Sequence, residues 1–308
     1  MKVTESIREA AESLGYPTRI AFVADEAEFF RLIDRPDFDI VWSALYHITP
    51  NEKFIGRNAA RTSVADELDA RQIPYIGSDS RTMKAMIDKY QTHEILAAGG
   101  ISVPAHILVQ TGDDITAVTY PAFVKPICES RSIGISDESV VHNEEELRRR
   151  VAYIEREFDQ PALVEEFLPG AEYTALVLGN GETRECLSGL VSVEEKHYNN
   201  FRILRSDLRG VGLTRISLAG ERMEEARRLA DRAAEAMGCL DHVRIDMRVD
   251  AAGRLRIIEV NGIPGLKPHK SWAPQIYTLY HASPLGEEEN YRRLIGAIVE
   301  SARRRYGL

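Results

Sequence analysis

The chain has 308 residues, of which 44% are hydrophobic and 28% are charged, which is enough to bury a core in two or three domains. Its net charge of −9 opposes non-specific attraction to nucleic acid and to anionic lipid, and the sequence has no long apolar run or signal-like N-terminus. Its three cysteines are widely spaced and lack metal-ligand spacing. We therefore expect a cytoplasmic protein that acts on small molecules, without a nucleic-acid or membrane partner.

Helical and strand patterns alternate over the first 83 residues. The stretch VTESIREAAESLGY has helical spacing, TRIAFVA is typical of a strand, DEAEFFRLID of a helix and FDIVWSAL of a second, mostly apolar strand. Strands that alternate with covering helices are typical of a parallel sheet. The sequence therefore predicts an N-terminal parallel α/β domain over residues 1–83.

Residues 84–166 are predicted to form a small central domain. The motif Met-x-Asp-Lys, residues 86–89, lies within a helical pattern, and the strand and loop YPAFVKPICESRSIGIS follow later. Lys125 at the end of that strand can contact phosphate as a point charge, and the loop can offer backbone N–H groups to an anion. A loop with one glycine could equally be a flexible turn. Asn143 and Glu146 predict a capping box that begins the next helix.

Residues 167–308 are predicted to form a C-terminal domain. The stretch PALVEEFLPGAEYTALVL, which leads into it, reads as a strand, a Pro-Gly turn and another strand, and its acids could be solvated edge-strand charges. The polar stretch EEKHYNNFRILRSDLRG has no clear periodicity, which is typical of a functional surface loop. An amphipathic helix over residues 220–238 follows, with Gly238 as its C-cap.

A β-hairpin is predicted over residues 242–261, in the stretch HVRIDMRVDAAGRLRIIEVN. If Asp-Ala-Ala-Gly is a four-residue loop, Val249 faces Arg254. Each earlier residue of the first strand then pairs with the next later residue of the second strand. Even positions of the first strand then share a face with odd positions of the second. That face gathers four polar side chains within reach of one another, namely Arg244, Asp246, Glu259 and Asn261.

These side chains suit a magnesium ion. Two carboxylates and a carboxamide are hard oxygen ligands of the kind that Mg²⁺ takes beside phosphate oxygens, and an adjacent arginine can bind the same anion. A hairpin with one solvated polar face would explain the same residues. The following turn, Asn-Gly-Ile-Pro-Gly, favours the metal site, because it stops strand pairing and leaves the last polar residues at an open strand end.

The motifs RID and IIEVNGIPGL resemble the metal-binding core of the ATP-grasp ligases, in particular the D-alanine–D-alanine ligase group, and the similarity covers roughly residues 56–280. The resemblance implies an ATP-grasp fold of mixed α/β type, with an N-terminal parallel α/β domain, a central lid domain and a C-terminal domain with an antiparallel sheet. It implies a homodimer that joins a carboxylate to an amine through an acyl phosphate, with release of ADP and phosphate. By this resemblance two Mg²⁺ ions are held by Asp246, Glu259 and Asn261.

Other matched positions imply roles in ATP binding and catalysis. The resemblance places Lys89 and Lys125 at the ATP phosphates, and Arg244 at the transferring phosphoryl group. It places Glu129 and Ser132 in a flap that covers the phosphates. The expected catalytic residues are therefore Lys125, Ser132 and Arg244.

The resemblance also assigns the nucleoside end of the ATP site. The hinge that hydrogen-bonds adenine corresponds to Glu166, Phe167 and Leu168, with Glu165 near the amino group of the base. Glu172 corresponds to a contact with the ribose hydroxyls, and Lys196 matches a further lysine on the nucleotide side.

The substrate positions match less well. Arg131 stands where relatives have a serine that helps to position the first substrate, and Lys270 stands where a serine holds the carboxylate of the second. The family's opening strand and loop, whose glutamate holds the first amine, have no match, so either that substrate is held differently or the natural chain starts earlier. The expected substrate-binding residues are Arg131, His197, Gly265, His269, Lys270 and Ser271.

Three functions therefore stay open. The first is a ligase of the D-alanine–D-alanine type, and the second is a divergent ATP-grasp enzyme that joins or cyclises a different amino-acid-like substrate. The third is a non-catalytic nucleotide-binding protein. The match at the nucleotide and metal positions favours an enzyme, while the departures at the substrate positions keep the second function open.

Overall fold

A computed structural model describes residues 2–48, 61–115, 118–208 and 212–308. The beginning of the segment matched to the family, from residue 56 to residue 60, lies outside these described residues. The described N-terminal residues form short elements, and the two strands among them pair antiparallel. These elements are α1 Val3–Ser13, α2 Glu26–Ile33, β1 His47–Ile48, β2 Thr62–Ser63, α3 Val64–Ala70 and α4 Ser80–Ile87.

The parallel sheet predicted for the N-terminal domain is reduced to one bridge in the described residues, where Val41 pairs in parallel with Tyr75. The strand predicted over TRIAFVA is wrong, because residues 18–24 belong to no assigned strand and Phe22 is 62% exposed. A strand forms only where a neighbour satisfies its backbone groups, and no described segment pairs with this one. The two predicted helices are confirmed as α1 and α2.

The central part is an antiparallel four-stranded sheet in the order β3-β6-β4-β5. The helix predicted after Asn143 covers one face of this sheet, and the Asn143 carboxamide caps it by accepting a hydrogen bond of 3.0 Å from the Glu146 N–H. The elements are α5 Lys89–Ala98, β3 His106–Val109, β4 Ala122–Pro126, β5 Val140–Val141, α6 Glu144–Phe158 and β6 Ala162–Glu166.

The C-terminal part is built on a second antiparallel sheet, in the order β11-β10-β7-β8-β9. A core with α7 lies on one face of this sheet, and a core with α8 and α9 lies on the other. The elements are β7 Glu172–Leu178, β8 Glu185–Val193, β9 Thr214–Leu218, α7 Met223–Met237, β10 His242–Val249, β11 Leu255–Asn261, α8 Trp272–His281 and α9 Glu287–Tyr306.

The side chains of β10 alternate between the α7 core and a polar face. Val243, Ile245 and Met247 are at most 1% exposed and pack in the core beside α7. The intervening even-numbered residues therefore lie on the opposite face of the sheet. Among the helices in the described part of the chain, none is both long and apolar enough to span a membrane.

Candidate active site

The hairpin formed by β10 and β11 has a longer loop than the sequence predicts. Val249 pairs with Leu255 and not with Arg254, so five residues connect the strands. The Asp250 carboxylate explains the longer loop, because it accepts a hydrogen bond of 2.8 Å from the Arg254 N–H. Gly253 has φ +80°, a conformation that glycine adopts without strain. The predicted register is therefore wrong by one residue at the loop.

A β-bulge restores the predicted polar face. The register shifts after Asp246, where Ile258 is an extra residue with no opposite partner. Beyond the bulge Asp246 faces Glu259 and Arg244 faces Asn261. Without the extra residue, Asp246 would face Ile258 and the Glu259 side chain would point to the other side of the sheet. The bulge therefore brings the four predicted polar residues to one face.

Asp246 is the centre of this polar face and is 1% exposed. Arg244 donates two hydrogen bonds of 2.8 Å to it, one to each carboxylate oxygen, from Nε and Nη2. Thr174, opposite Asp246 on β7, donates a third of 2.8 Å, and Asn261 Nδ2 lies 3.3 Å from Oδ2. The Trp272 indole packs against the Arg244 guanidinium, 4.8 Å from ring centroid to Cζ.

The charge on Arg244 is secured by this arrangement. Burial alone lowers the pKa of a guanidinium, but the Asp246 carboxylate more than offsets that effect and the pKa of Arg244 is raised. A permanently charged, planar donor group is therefore fixed beside the two carboxylates.

Lys89 links the central part of the chain to the hairpin. Its ammonium nitrogen lies 3.2 Å from a Glu259 carboxylate oxygen and donates a hydrogen bond to the Glu129 carbonyl. Lys89 is the first residue of α5 and is only 7% exposed. The lysine predicted at the phosphates therefore lies beside one of the predicted metal ligands.

Lys125 forms a second buried ion pair. Its Nζ lies 2.8 Å from Glu165 Oε2, and His93 Nε2 lies 2.5 Å from the other oxygen of the same carboxylate. Burial raises the pKa of Glu165, but Lys125 and His93 outweigh it and hold that pKa at about 2. Burial lowers the pKa of His93, which favours the neutral ring as the hydrogen-bond donor. Both Glu165 oxygens therefore bind these two residues; its contact with adenine stays a prediction.

The flap loop is held by a residue that the sequence did not single out. Gln160, 3% exposed, donates a hydrogen bond of 2.8 Å to the Glu129 carboxylate and accepts one of 2.7 Å from the Cys128 N–H. Arg131 and Ser132 both have φ +58°, so the chain turns sharply here. This turn leaves Arg131 exposed, while Ser132 is 8% exposed and points to the cavity.

A cavity of about 80 Å³ lies between the two sheets, and Arg244 and Asn261 are not among the residues that line it. Its lining combines apolar side chains, such as Phe123, Phe167 and Ile203, with lysines and carboxylates. Lys196 is not among the lining residues; it is exposed and pairs with Glu194 at 2.6 Å. The predicted nucleotide and metal residues that do line the cavity are Lys89, Lys125, Glu129, Ser132, Glu165, Glu166, Phe167, Leu168, Glu172, Asp246 and Glu259.

The hinge segment that follows β6 is fixed by the backbone. The Glu166 N–H donates to the Ala105 carbonyl at 2.8 Å, and the Phe167 N–H donates to the Pro121 carbonyl at 3.4 Å. Leu168 is 5% exposed. The segment therefore forms a rigid edge of the cavity, while its contacts with a base stay a prediction.

The predicted substrate-binding residues do not line this cavity. Exposed His269 pairs with Glu287 at 2.6 Å, and Lys270 is also exposed. Ser271 precedes α8, where its hydroxyl accepts a hydrogen bond of 3.0 Å from a backbone N–H of the same turn. Gly265 packs closely on Ser271, and the His197 carbonyl accepts a hydrogen bond from Arg205. Their substrate contacts stay predictions.

Several residues at the site were missed by sequence reasoning. Arg248 lines the cavity and Thr174 donates a hydrogen bond to Asp246, and only the pairing of β7 with β10 reveals both positions. Gln160 and His93 act on predicted site residues from distant parts of the sequence. Trp272 directly follows the predicted substrate segment and is the first residue of α8, so nothing in the sequence indicated that it would contact Arg244.

Comparison with known proteins gives one consistent family. The family described as "D-ala D-ala ligase C-terminus" matches residues 105–279. A D-alanine–D-alanine ligase of Chromohalobacter salexigens is 32% identical over 261 residues, which are 79% of this chain and 78% of that relative. One of Glaesserella parasuis is 28% identical over 303 residues, which are 96% and 90% of the two chains.

Solved structures have the same fold. The D-alanine–D-alanine ligase of Bacillus anthracis complexed with ATP matches with a TM-score of 0.73 and 19% identity, over 99% of this chain and 92% of the other. The VanG D-Ala:D-Ser ligase of Enterococcus faecalis matches with a TM-score of 0.66 and 22% identity, over 86% and 73%. The predicted ATP-grasp fold is confirmed, and the chain belongs to the D-alanine–D-alanine ligase family.

Proposed function

We propose that this protein is an ATP-dependent carboxylate–amine ligase. The observation that carries the proposal is one cavity that is lined by apolar side chains, two lysines and two carboxylates that face each other across the hairpin. Apolar walls beside a fixed hinge suit a purine base, and lysines beside acidic metal ligands suit a polyphosphate. Membership of the D-alanine–D-alanine ligase family supports the same activity.

Two magnesium ions would be held by Asp246, Glu259 and Asn261. Among the side chains that the structure describes, no group of three or more acids, histidines or cysteines could hold a metal alone. The site therefore depends on the Asn261 carboxamide and on phosphate oxygens, a donor set that fits Mg²⁺. Asn261 has to rotate its amide to offer the oxygen, because Nδ2 faces Asp246. When bound, magnesium supplies charge neutralisation at the phosphates.

The proposed reaction has two steps. A carboxylate oxygen of the first substrate attacks the γ-phosphorus of ATP, the bond to the leaving ADP oxygen breaks, and an acyl phosphate forms. The amine nitrogen of the second substrate then attacks the acyl carbon and loses a proton, and phosphate leaves through a tetrahedral intermediate. The products are an amide, ADP and phosphate.

The chain's own residues serve these steps by positioning and by charge. Lys89 and Lys125 hold phosphate oxygens, and Ser132 contributes a hydroxyl from the flap. Arg244, fixed by Asp246, donates to the transferring phosphoryl group and later to the oxygen of the tetrahedral intermediate.

We propose amino-acid-like acids and amines as the substrates. The relatives are named for D-alanine and, in one case, D-serine. A second candidate is a different acid and amine, joined or cyclised, and it is favoured by Trp272, whose indole covers one face of Arg244. A large ring beside the phosphoryl group that is transferred restricts the size of the substrates that can bind there. The homodimer implied by the family stays a prediction, which light scattering on the full chain can test.

A screen of paired amino acids tests the proposed function. The full chain with ATP and Mg²⁺ is incubated with pairs of D- and L-amino acids, and phosphate release and amide products are measured. Turnover with D-alanine alone supports the first candidate, and turnover with another pair supports the second. Tight ATP binding with no turnover for any pair would contradict the enzyme and favour a non-catalytic nucleotide-binding protein.

A further inference from the structure

Arg248 is a buried cation at the site for which the proposed reaction has no role. It lies on the same face of β10 as Asp246, two residues further along, and it lines the cavity while only 8% exposed. It pairs across the strands with Glu172, and its Nη1 lies 3.6 Å from a Glu172 carboxylate oxygen. The glutamate expected at the ribose hydroxyls therefore has an arginine beside it.

The three guanidinium nitrogens of Arg248 have different surroundings. Nη1 faces Glu172, and Nη2 donates a hydrogen bond to the Arg202 carbonyl. Nε is buried and has no hydrogen-bond partner among the residues that the structure describes. A buried charged donor without a partner is unfavourable. Because Arg248 lines the cavity, a ligand oxygen that reaches Nε would satisfy it.

The bond to Arg202 also fixes part of the cavity wall. Ile203 and Leu204, the next two residues, line the cavity and are 2% and 6% exposed. They belong to the long polar loop that follows β8. Arg248 therefore holds this loop against the nucleoside end of the cavity.

Charge restricts the group that this pair can recognise. Arg248 and Glu172 together carry no net charge. An anion such as an extra phosphate would therefore be attracted by the arginine but repelled by the glutamate. A neutral vicinal diol matches the pair, because one hydroxyl can donate to the carboxylate and an oxygen of the diol can accept from the guanidinium.

We propose that Arg248 is a specificity-determining residue that recognises the ribose hydroxyls together with Glu172. The inference rests on the proposed binding of a nucleotide in this cavity. Glu172 accepts a hydrogen bond from one hydroxyl, and Arg248 Nε donates to the oxygen of the other. The site therefore selects ribonucleotides over deoxyribonucleotides.

Calorimetric titration of the full chain with ADP, 2′-deoxy-ADP and 3′-deoxy-ADP in the presence of Mg²⁺ tests this proposal. We expect both deoxy-nucleotides to bind the wild type about tenfold or more weakly than ADP, because each lacks a hydrogen bond to a charged group. Arg248→Met should weaken ADP binding about tenfold and abolish the discrimination against one deoxy-nucleotide. Arg248→Lys should not restore this discrimination, because one ammonium group cannot replace the several fixed donors of a planar guanidinium.

Arg202→Ala is the matched control. The Arg202 side chain is 68% exposed and pairs with Glu195, and only its backbone carbonyl contacts Arg248. Nucleotide binding by this variant should therefore match the wild type. Thermal melts check that each variant is folded, and Arg248→Gln replaces Arg248→Met if the latter does not fold.

The outcomes separate this inference from the proposed function. Unchanged discrimination in a folded Arg248 variant overturns the inference and leaves the ligase intact. Loss of discrimination in a protein that binds ADP but joins no substrates supports the inference and contradicts the ligase. Absence of ADP binding by the wild type overturns both.

Discussion

Arg244 holds both oxygens of the Asp246 carboxylate, with two hydrogen bonds of 2.8 Å along one face of β10. The arginine expected at the transferring phosphoryl group is thus positioned by a residue expected to bind magnesium. Trp272 covers the guanidinium from the side. These contacts fix the Arg244 guanidinium before a substrate binds.

Arg244→Ala should reduce substrate-dependent ADP release about a hundredfold or more, because it removes a charged donor aimed at the reacting phosphoryl group. Arg244→Lys should release ADP little faster than Arg244→Ala, because a single ammonium group cannot bind both oxygens of Asp246 as the guanidinium does. The measurement is the rate of ADP release with the best substrate pair. Arg148→Ala, on the exposed face of α6, is the control and should keep full activity. Full turnover in Arg244→Ala would contradict the assigned role.

Thr174→Val should raise the magnesium concentration needed for half-maximal nucleotide binding about tenfold. The hydroxyl donates a hydrogen bond of 2.8 Å to Asp246, and groups that orient a metal ligand in this way typically affect metal affinity 10- to 100-fold. Valine has nearly the same shape, so the fold should persist. Thermal shift with ADP at increasing Mg²⁺ gives the value, and a magnesium dependence equal to that of the wild type would reject the role.

The polar face of the hairpin could be predicted from the sequence, but its register could not. Alternation of side chains brings Arg244 and Asp246 to one face in any register of their own strand. The position of Glu259 depends on the length of the loop and on the bulge at Ile258, and these two deviations from the predicted pairing together preserve the predicted face. Hydrogen bonds of the Asp250 side chain set the loop length, and composition does not reveal them.

The remaining errors come from contacts between distant segments. Residues 18–24 have a strand pattern, but a strand also requires a neighbouring strand with which to pair. The strand propensity of the residues does not show whether such a neighbour exists. Gln160 acts on Glu129, 31 residues away, and looks like an ordinary residue at the end of a helix. Trp272 meets Arg244 only after α8 packs on the sheet. Helices, the turn after Asn261 and the charged strand ends were the features that local pattern could identify.

Asp241→Ala should cost about 3–5 kcal/mol of unfolding free energy. Asp241 is fully buried and accepts hydrogen bonds from the Gly77 N–H, the Asn180 amide and the Ser301 hydroxyl, and it pairs with Arg305 at 2.7 Å. Its removal leaves the Arg305 charge without this partner. Urea unfolding measures the loss.

The matched control is Asp241→Asn, which keeps the shape and most acceptor contacts and tolerates the positive φ of +59° at this position. It should cost clearly less than the alanine variant. Equal stability of Asp241→Ala and the wild type would show that this cluster does not join the N-terminal segment to β7 and α9.

His242 should make the protein less stable in mild acid. Its ring is 3% exposed, packs edge-on against Trp42 at 5.5 Å, and has no hydrogen-bond partner for either nitrogen in the described part of the chain. Burial lowers its pKa from 6.5 to about 4, although the neighbouring Asp241 opposes the shift. Between about pH 6.5 and pH 4 the His242 ring is therefore protonated in the unfolded chain but neutral in the folded chain. The free energy of unfolding falls as the pH drops through this range.

His242→Phe should remove this component of the pH dependence. At pH 5 the shifted pKa of His242 costs the wild type about 2 kcal/mol of unfolding free energy. The melting temperature of the variant should therefore fall less between pH 7.5 and pH 5 than that of the wild type. Thermal melts over this range give the comparison. Parallel curves for the two proteins would mean that His242 is not held neutral in the fold.

A crystal structure of the protein with Mg²⁺ and ADP tests the central claim most directly. We expect metal density about 2.0–2.1 Å from oxygens of Asp246, Glu259 and Asn261, with the phosphates between Lys89 and Lys125. Nucleotide bound elsewhere, or bound in this cavity with no metal at the hairpin face, would contradict the account.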